Sequence, residues 1–279
     1  MSETLGSLLF VVFVWWFATG VVLLLGRLGK STFGWSFAFA TVVLVMSLIG
    51  LSISSESLST TNIVISFSCV IGIWAWHEMA FLFGYITGPR TLPSPKGAEG
   101  WNRFTHAFSA LLYHELALFA TLVIVVAITW GNDNLYGLAA FAILWVMRIS
   151  AKLNIFFGVP HFSDDLLPPH LSHLATYFRV RPPSLFFGIT VTLSAAVAAA
   201  LLGRLLFGVD LSEADTVGLS VSLCLLLLAI LEHGFMILPV KDANLWRWAM
   251  IDPPARQKKG RALQVPLRSI EHDHRVTQE

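Results

Sequence analysis

Three adjacent pairs of acidic and imidazole side chains stand in otherwise apolar surroundings: His77-Glu78 in WAWHEMAF, His114-Glu115 in LLYHELAL and Glu232-His233 in AILEHGFM. Carboxylate oxygens and imidazole nitrogens can ligate iron, zinc or manganese, and both can pass protons. At the centre of a membrane helix a charged side chain costs about 2.5–3.5 kcal/mol on insertion scales, so each such residue needs a partner or a purpose. Successive residues on a helix point about 100° apart. Each pair can therefore turn one member into a bundle and the other toward an adjoining helix.

That the setting is a membrane follows from composition. The chain has 279 residues, 56% apolar and 13% charged, against roughly 45–50% and about 25% in a soluble domain. This excludes a soluble enzyme. A mean hydropathy of +0.72, with ten Trp and 21 Phe, fits a lipid-embedded protein with aromatics available for interfacial belts. Lys+Arg at 18 nearly balances Asp+Glu at 17, which gives no reason to expect a nucleic-acid partner. The two cysteines, Cys69 and Cys224, both lie in apolar runs and make neither a disulfide framework nor a thiolate metal site.

A membrane helix needs about twenty apolar residues. Seven stretches qualify: Leu5–Leu25, Gly34–Ile53, Asn62–Ile86, Phe104–Trp130, Leu135–Phe157, Ser184–Phe207 and Val217–Leu238. No Pro interrupts them; Gly88-Pro89, Gly131-Asn132, Pro168-Pro169, Pro182-Pro183 and Pro239 fall between. The first run lacks a basic leader and a small-residue cleavage pattern, so it reads as a retained span. With this span count, every Lys and Arg except Arg204 falls on one side. The positive-inside rule then puts the N-terminus outside and the C-terminus in the cytoplasm. The expected organisation is a transmembrane domain over 1–252 and a polar, basic, disordered cytoplasmic tail over 253–279.

Depth connects the three pairs. At 1.5 Å per residue, all lie very roughly 9–17 Å from the cytoplasmic ends of spans three, four and seven, in one layer. His106 stands at the mouth of span four, and the fifth-to-sixth connection adds His161, His170 and His173 on the same side. Glu78, Glu115 and Glu232 with His77, His106, His114, His161, His170, His173 and His233 form an oxygen and nitrogen ligand set that suits a metal ion, iron first, and a Glu could bridge two ions. A His can equally serve as axial ligand to a metal-containing tetrapyrrole. The bland alternative is hydrogen bonding between membrane helices by Glu kept protonated through burial. Adjacent pairs match neither the spacing of carboxylate-bridged bundles nor the His boxes of membrane desaturases. Arg148 and Lys152, one turn apart near the end of span five, read as side chains that snorkel to the interface. Trp74 and Trp76 read as packing or lipid-facing residues.

The segments WAWHEMAFLFGYITGPR, YHELALF, LNIFFGVPHFSDDLLPPHLSHLATYF and LEHGFMILPVKDANLWRW resemble photosynthetic complex assembly protein 2, the PuhE family of anoxygenic phototrophic bacteria. The resemblance runs over nearly the whole chain, the tail after Asp252 least. It implies an inner-membrane protein encoded near the reaction-centre H subunit and needed for reaction-centre or bacteriochlorophyll-related assembly. It carries over no catalytic residues.

The expected fold is an all-α bundle of seven membrane spans, with a polar pocket between spans three, four and seven roofed by the fifth-to-sixth connection. The expected function is an assembly factor holding a metal or metallo-pigment, in contact with the lipid bilayer and with reaction-centre subunits, light-harvesting subunits or pigment-synthesis enzymes. A membrane metal-dependent oxidase or hydroxylase acting on a tetrapyrrole or isoprenoid lipid is the enzymatic alternative. A metal-free scaffold is the third.

Overall fold

The computed structural model describes residues 2–250; the expected tail over 253–279 lies outside them. The seven expected spans appear as α1 (Ser2–Arg27), α2 (Lys30–Ser55), α3 (Thr60–Leu82), α4 (Gly100–Thr129), α5 (Tyr136–Phe157), α6 (Leu185–Phe207) and α7 (Glu213–Phe235). All seven are long and apolar enough to cross a membrane. No strand occurs among the described residues, where Val159 and Val180 form a lone parallel bridge.

Local chemistry sets the helix ends. Ser59, Ser184 and Ser212 cap α3, α6 and α7, each hydroxyl accepting a bond from the backbone N–H three residues on. α3 stops four residues before its apolar run does. Gly84 takes a positive φ of 78°, Tyr85 N–H donates back to Ala80 O, and Gly84 N–H donates to Phe81 O. This Schellman closure satisfies the last carbonyls of α3, which continuing apolarity could not reveal.

α3 and α7 form the centre of the bundle, with α1, α2 and α5 packed on them and α4 and α6 at its sides. Phe67, Phe141, Leu51, Ile63, Ile73, Leu118 and Leu225 fill the interior. Outward-facing residues such as Trp35, Phe39, Leu185 and Phe207 are exposed and apolar, as a hydrocarbon solvent requires. At the end near Thr129 and Tyr136, the buried Asn134 ties the α4–α5 turn down, its Nδ2 donating to Ser54 O at 2.9 Å.

The opposite end carries the long connections. A 3-10 segment, Pro169–Tyr177, lies over the ends of α3 and α4. His170 Nε2 donates to Leu82 O at 2.9 Å there, while the buried Arg103 donates to Phe156 O at 3.1 Å and to Tyr177 O. The fifth-to-sixth connection thus forms a roof over the ends of α3 and α4.

Candidate functional site

Four residues of α5, Phe141, Trp145, Arg148 and Lys152, follow one another at intervals of four, three and four, which aligns them on one stripe of the helix. Phe141 packs edge-on against Trp74 of α3, and Trp145 lies 6.1 Å from Phe119 of α4. The two cations continue that seam. Arg148 Nη2 bonds Glu78 Oε2 of α3 at 2.9 Å, and Lys152 Nζ bonds Glu115 Oε1 of α4 at 2.6 Å.

These ion pairs correct the expectation for span five. Snorkelling would carry Arg148 and Lys152 to the interface, but both turn sideways onto carboxylates of neighbouring helices. A charge in hydrocarbon gains more from a carboxylate at contact than from a strained reach to distant headgroups. The carboxylate of Glu232 on α7 also lies within electrostatic range of Arg148, so α3, α4, α5 and α7 all contribute to one charged layer.

The imidazoles divide into distinct roles. His233 is buried and saturated. Its Nδ1 approaches Ala229 O at 2.9 Å and must carry the proton, which leaves Nε2 to accept from Ser150 Oγ at 2.9 Å. Ser150 also accepts from Asn154 Nδ2, and Asn154 reaches Thr190 of α6 at 3.1 Å. His77 joins α3 to α4 through Nε2 and Thr121 Oγ1 at 2.9 Å; His114, also buried, lies 4.8 Å from the Phe81 ring.

Outside the layer, His106 is half-buried near the start of α4, and His161 is exposed with its backbone N–H donating to Met236 O. His170 and His173 sit in the roof, where burial holds the His170 imidazole below its ordinary range. The structure thus ties Glu78, Glu115 and His233 to neighbouring positions of α5, with Glu232 in electrostatic range of Arg148, while His77 bonds Thr121 further along α4 and His170 and His173 lie in the fifth-to-sixth connection. Among the described residues, no three His, Cys, Asp or Glu side chains converge on a point where they could hold a metal ion.

Several buried polar atoms in and beside this layer have no hydrogen-bond partner among the described residues. They are Nδ1 of His77 and His114, Oε1 of Glu78, Nε of Arg148, Nε1 of Trp145 and Oδ1 of Asn154.

Residues 1–258 match the family described as a protein of unknown function, DUF3623. The chain belongs to the DUF3623 family. It is 33% identical over 254 residues to an uncharacterised 30.4 kDa protein in the puhA 5′ region of Rhodobacter capsulatus, an alignment covering 88% of this chain and 90% of that one. No solved structure matches it. The match to DUF3623 takes in all seven spans and hence the whole charged layer.

Proposed function

We propose that this DUF3623 protein is an assembly factor for the bacterial photosynthetic apparatus, embedded in the inner membrane with its loop-rich end in the cytoplasm, and that its charged layer serves assembly rather than metal chemistry. The relative from the puhA 5′ region supports the photosynthetic context, as does the resemblance to PuhE. The one-sided distribution of Lys and Arg supports the orientation.

The observation that carries the choice among functions is the compensation of Glu78 and Glu115 by Arg148 and Lys152. A carboxylate already bonded to a cation at contact is a poor ligand for a divalent ion, because coordination would first have to displace that cation. Both ring nitrogens of His233 are engaged as well. A helix bundle braced this way has the character of a rigid platform, on whose lipid-facing sides a reaction-centre or light-harvesting subunit, or a pigment-synthesis enzyme, could be held during assembly.

The test is removal of the gene from a phototroph that carries this chain, followed by complementation. Membranes of the deletion strain should lose reaction-centre or light-harvesting absorbance, the wild-type gene should restore it, and Arg148→Ala should restore it poorly. Full pigment–protein complexes in the deletion strain would overturn the assembly reading. Stoichiometric iron in the purified protein, lost in Glu78→Gln, would restore the metal reading in its place.

A further inference from the structure

Two chain segments that meet beside the C-terminal end of α5 bring three arginines together. Val159 and Val180 form the parallel bridge, with Val159 N–H donating to Arg179 O and Arg181 N–H donating to Val159 O. Backbone in such a bridge is extended, so side chains two residues apart leave it on the same side. Arg179 and Arg181 are that pair. Both lie within electrostatic range of the Arg103 guanidinium, which the carbonyls of Phe156 and Tyr177 hold in place.

Their placement is tight. Arg181 stands against Gly158, where an added Cβ would come 2.9 Å from Arg181 Cβ, and Arg179 N–H donates to Ile155 O at 3.2 Å. Arg181 is exposed and Arg179 half-buried. Other arginines at this end are engaged within the protein: Arg27 donates to Asp165 O, and Arg90 to Tyr177 Oη and Pro93 O. Among the described residues no carboxylate lies at contact with Arg103, Arg179 or Arg181, Glu99 one turn before Arg103 included. The result is a local concentration of positive charge that opens to the outside.

The cluster also stands where a membrane span begins. Pro182-Pro183 and the Ser184 cap lead from Arg181 directly into α6. Phe157 of α5 and Phe186 of α6 meet there at 5.2 Å between ring centroids. Along α6, Leu185, Ile189, Leu193 and Val197 recur every four residues as an exposed aliphatic ridge. A soluble anion would meet the arginines alone, and a zwitterionic lipid would bring a cation to them together with its phosphate. Charge at the end of a span and apolar surface along it match an anionic lipid, and basic sites at the cytoplasmic ends of membrane helices are where such headgroups bind.

We propose that Arg179 and Arg181, backed by Arg103, hold the phosphate of an anionic phospholipid whose acyl chains lie along the aliphatic ridge of α6. This site goes beyond the assembly reading and does not depend on it, because its test uses purified protein alone.

The full-length protein in detergent is incubated with an equimolar mixture of dioleoyl phosphatidylglycerol and dioleoyl phosphatidylcholine, and retained lipid is counted by native mass spectrometry. Phosphatidylglycerol should be preferred. The preference should fall about fivefold in Arg179→Gln and in Arg181→Gln, the equivalent of about 1 kcal/mol per basic residue beside an anionic lipid, and nearly vanish in the double variant. Arg181→Lys keeps the charge and should keep most of the preference, which separates loss of the site from loss of the fold. Lys96→Gln, an exposed cation of the α3–α4 connection, should change nothing, and soluble glycerol 3-phosphate at the lipid's concentration should not displace it. Equal retention of the two lipids or an undiminished preference in the double variant would overturn the proposal. So would a fall in Arg181→Lys as deep as in Arg181→Gln, an equal fall in Lys96→Gln, as for diffuse attraction to the whole basic face, or displacement by glycerol 3-phosphate.

Discussion

Arg148 and Glu78 meet through a single 2.9 Å bond between α5 and α3, the arginine side chain partly exposed and the glutamate largely buried. The pair ties α5 to α3 within the membrane-spanning helices. Removing one member leaves a charge without compensation, which costs more than removing both.

Arg148→Gln alone should therefore lower unfolding stability by about 2–3 kcal/mol, less than for a fully enclosed pair because the arginine is partly exposed. Adding Glu78→Gln should recover most of that loss. Thermal unfolding of the wild type, both single variants and the double variant in one detergent closes the cycle. Strictly additive losses would show that the two side chains do not act as a pair.

Lys152 and Glu115 do for α4 what Arg148 and Glu78 do for α3. Lys152→Glu places two carboxylates at contact distance and should sharply reduce the protein recovered in membranes, whereas Lys152→Glu combined with Glu115→Lys should return it to within about twofold of wild type. Failure of the exchange, with Lys152→Glu alone well expressed, would remove the ion pair from the account of how α4 is held.

The helices and the level of the charged layer were legible because both rest on properties a chain carries locally. Apolar run length sets the spans, and His77-Glu78, His114-Glu115 and Glu232-His233 fall at similar depth by simple rise per residue. What Arg148 and Lys152 do was not legible from position alone, since a long cation near a helix end can reach either headgroups or a neighbour. The available signal was rotational: both continue the stripe begun by Phe141 and Trp145, which faces α3 and α4. The roles of the imidazoles depend on Ala229 O, Ser150 and Thr121, partners whose approach is a matter of tertiary packing.

His233 offers a direct check on its assignment. Donation to Ala229 O requires the Nδ1–H tautomer, which nitrogen chemical shifts of labelled imidazole report. Ser150→Ala should leave Nε2 buried without a donor and cost about 1–2 kcal/mol. A Nε2–H tautomer, or a Ser150→Ala protein as stable as wild type, would contradict the bonding described.

The roof should respond to pH. Burial is the main cause that holds His170 below its ordinary value near 6.5, with Lys30 and His173 adding repulsion, while donation to Leu82 O acts in the opposite sense. A lowered folded-state pKa means that the stabilisation is present above about 6.5 and is lost as pH falls from there through the folded value. Hydrogen exchange across Pro169–Tyr177, corrected for its intrinsic pH dependence, should lose protection in that window. The same segment in His170→Gln should show a flat profile; an equally steep one would assign the effect to another group.

After α7 the chain turns back along α1, where Trp16 Nε1 donates to Leu245 O at 2.8 Å and Trp246 Nε1 donates to Trp16 O at 2.9 Å. Trp248 closes this contact over Gly20, at which an added Cβ would stand 2.1 Å from Trp248 Cζ2. Only a residue without a side chain admits the indole so close to the helix. Gly20→Val should therefore expel Trp248, raise the fraction of tryptophan emission quenched by acrylamide and loosen the segment Asp242–Trp246. Gly188→Val on α6, where an added Cβ meets nothing within 4 Å, controls for the loss of a helical glycine. Equal quenching in the two variants would mean that the returning segment is not held by its fit against α1.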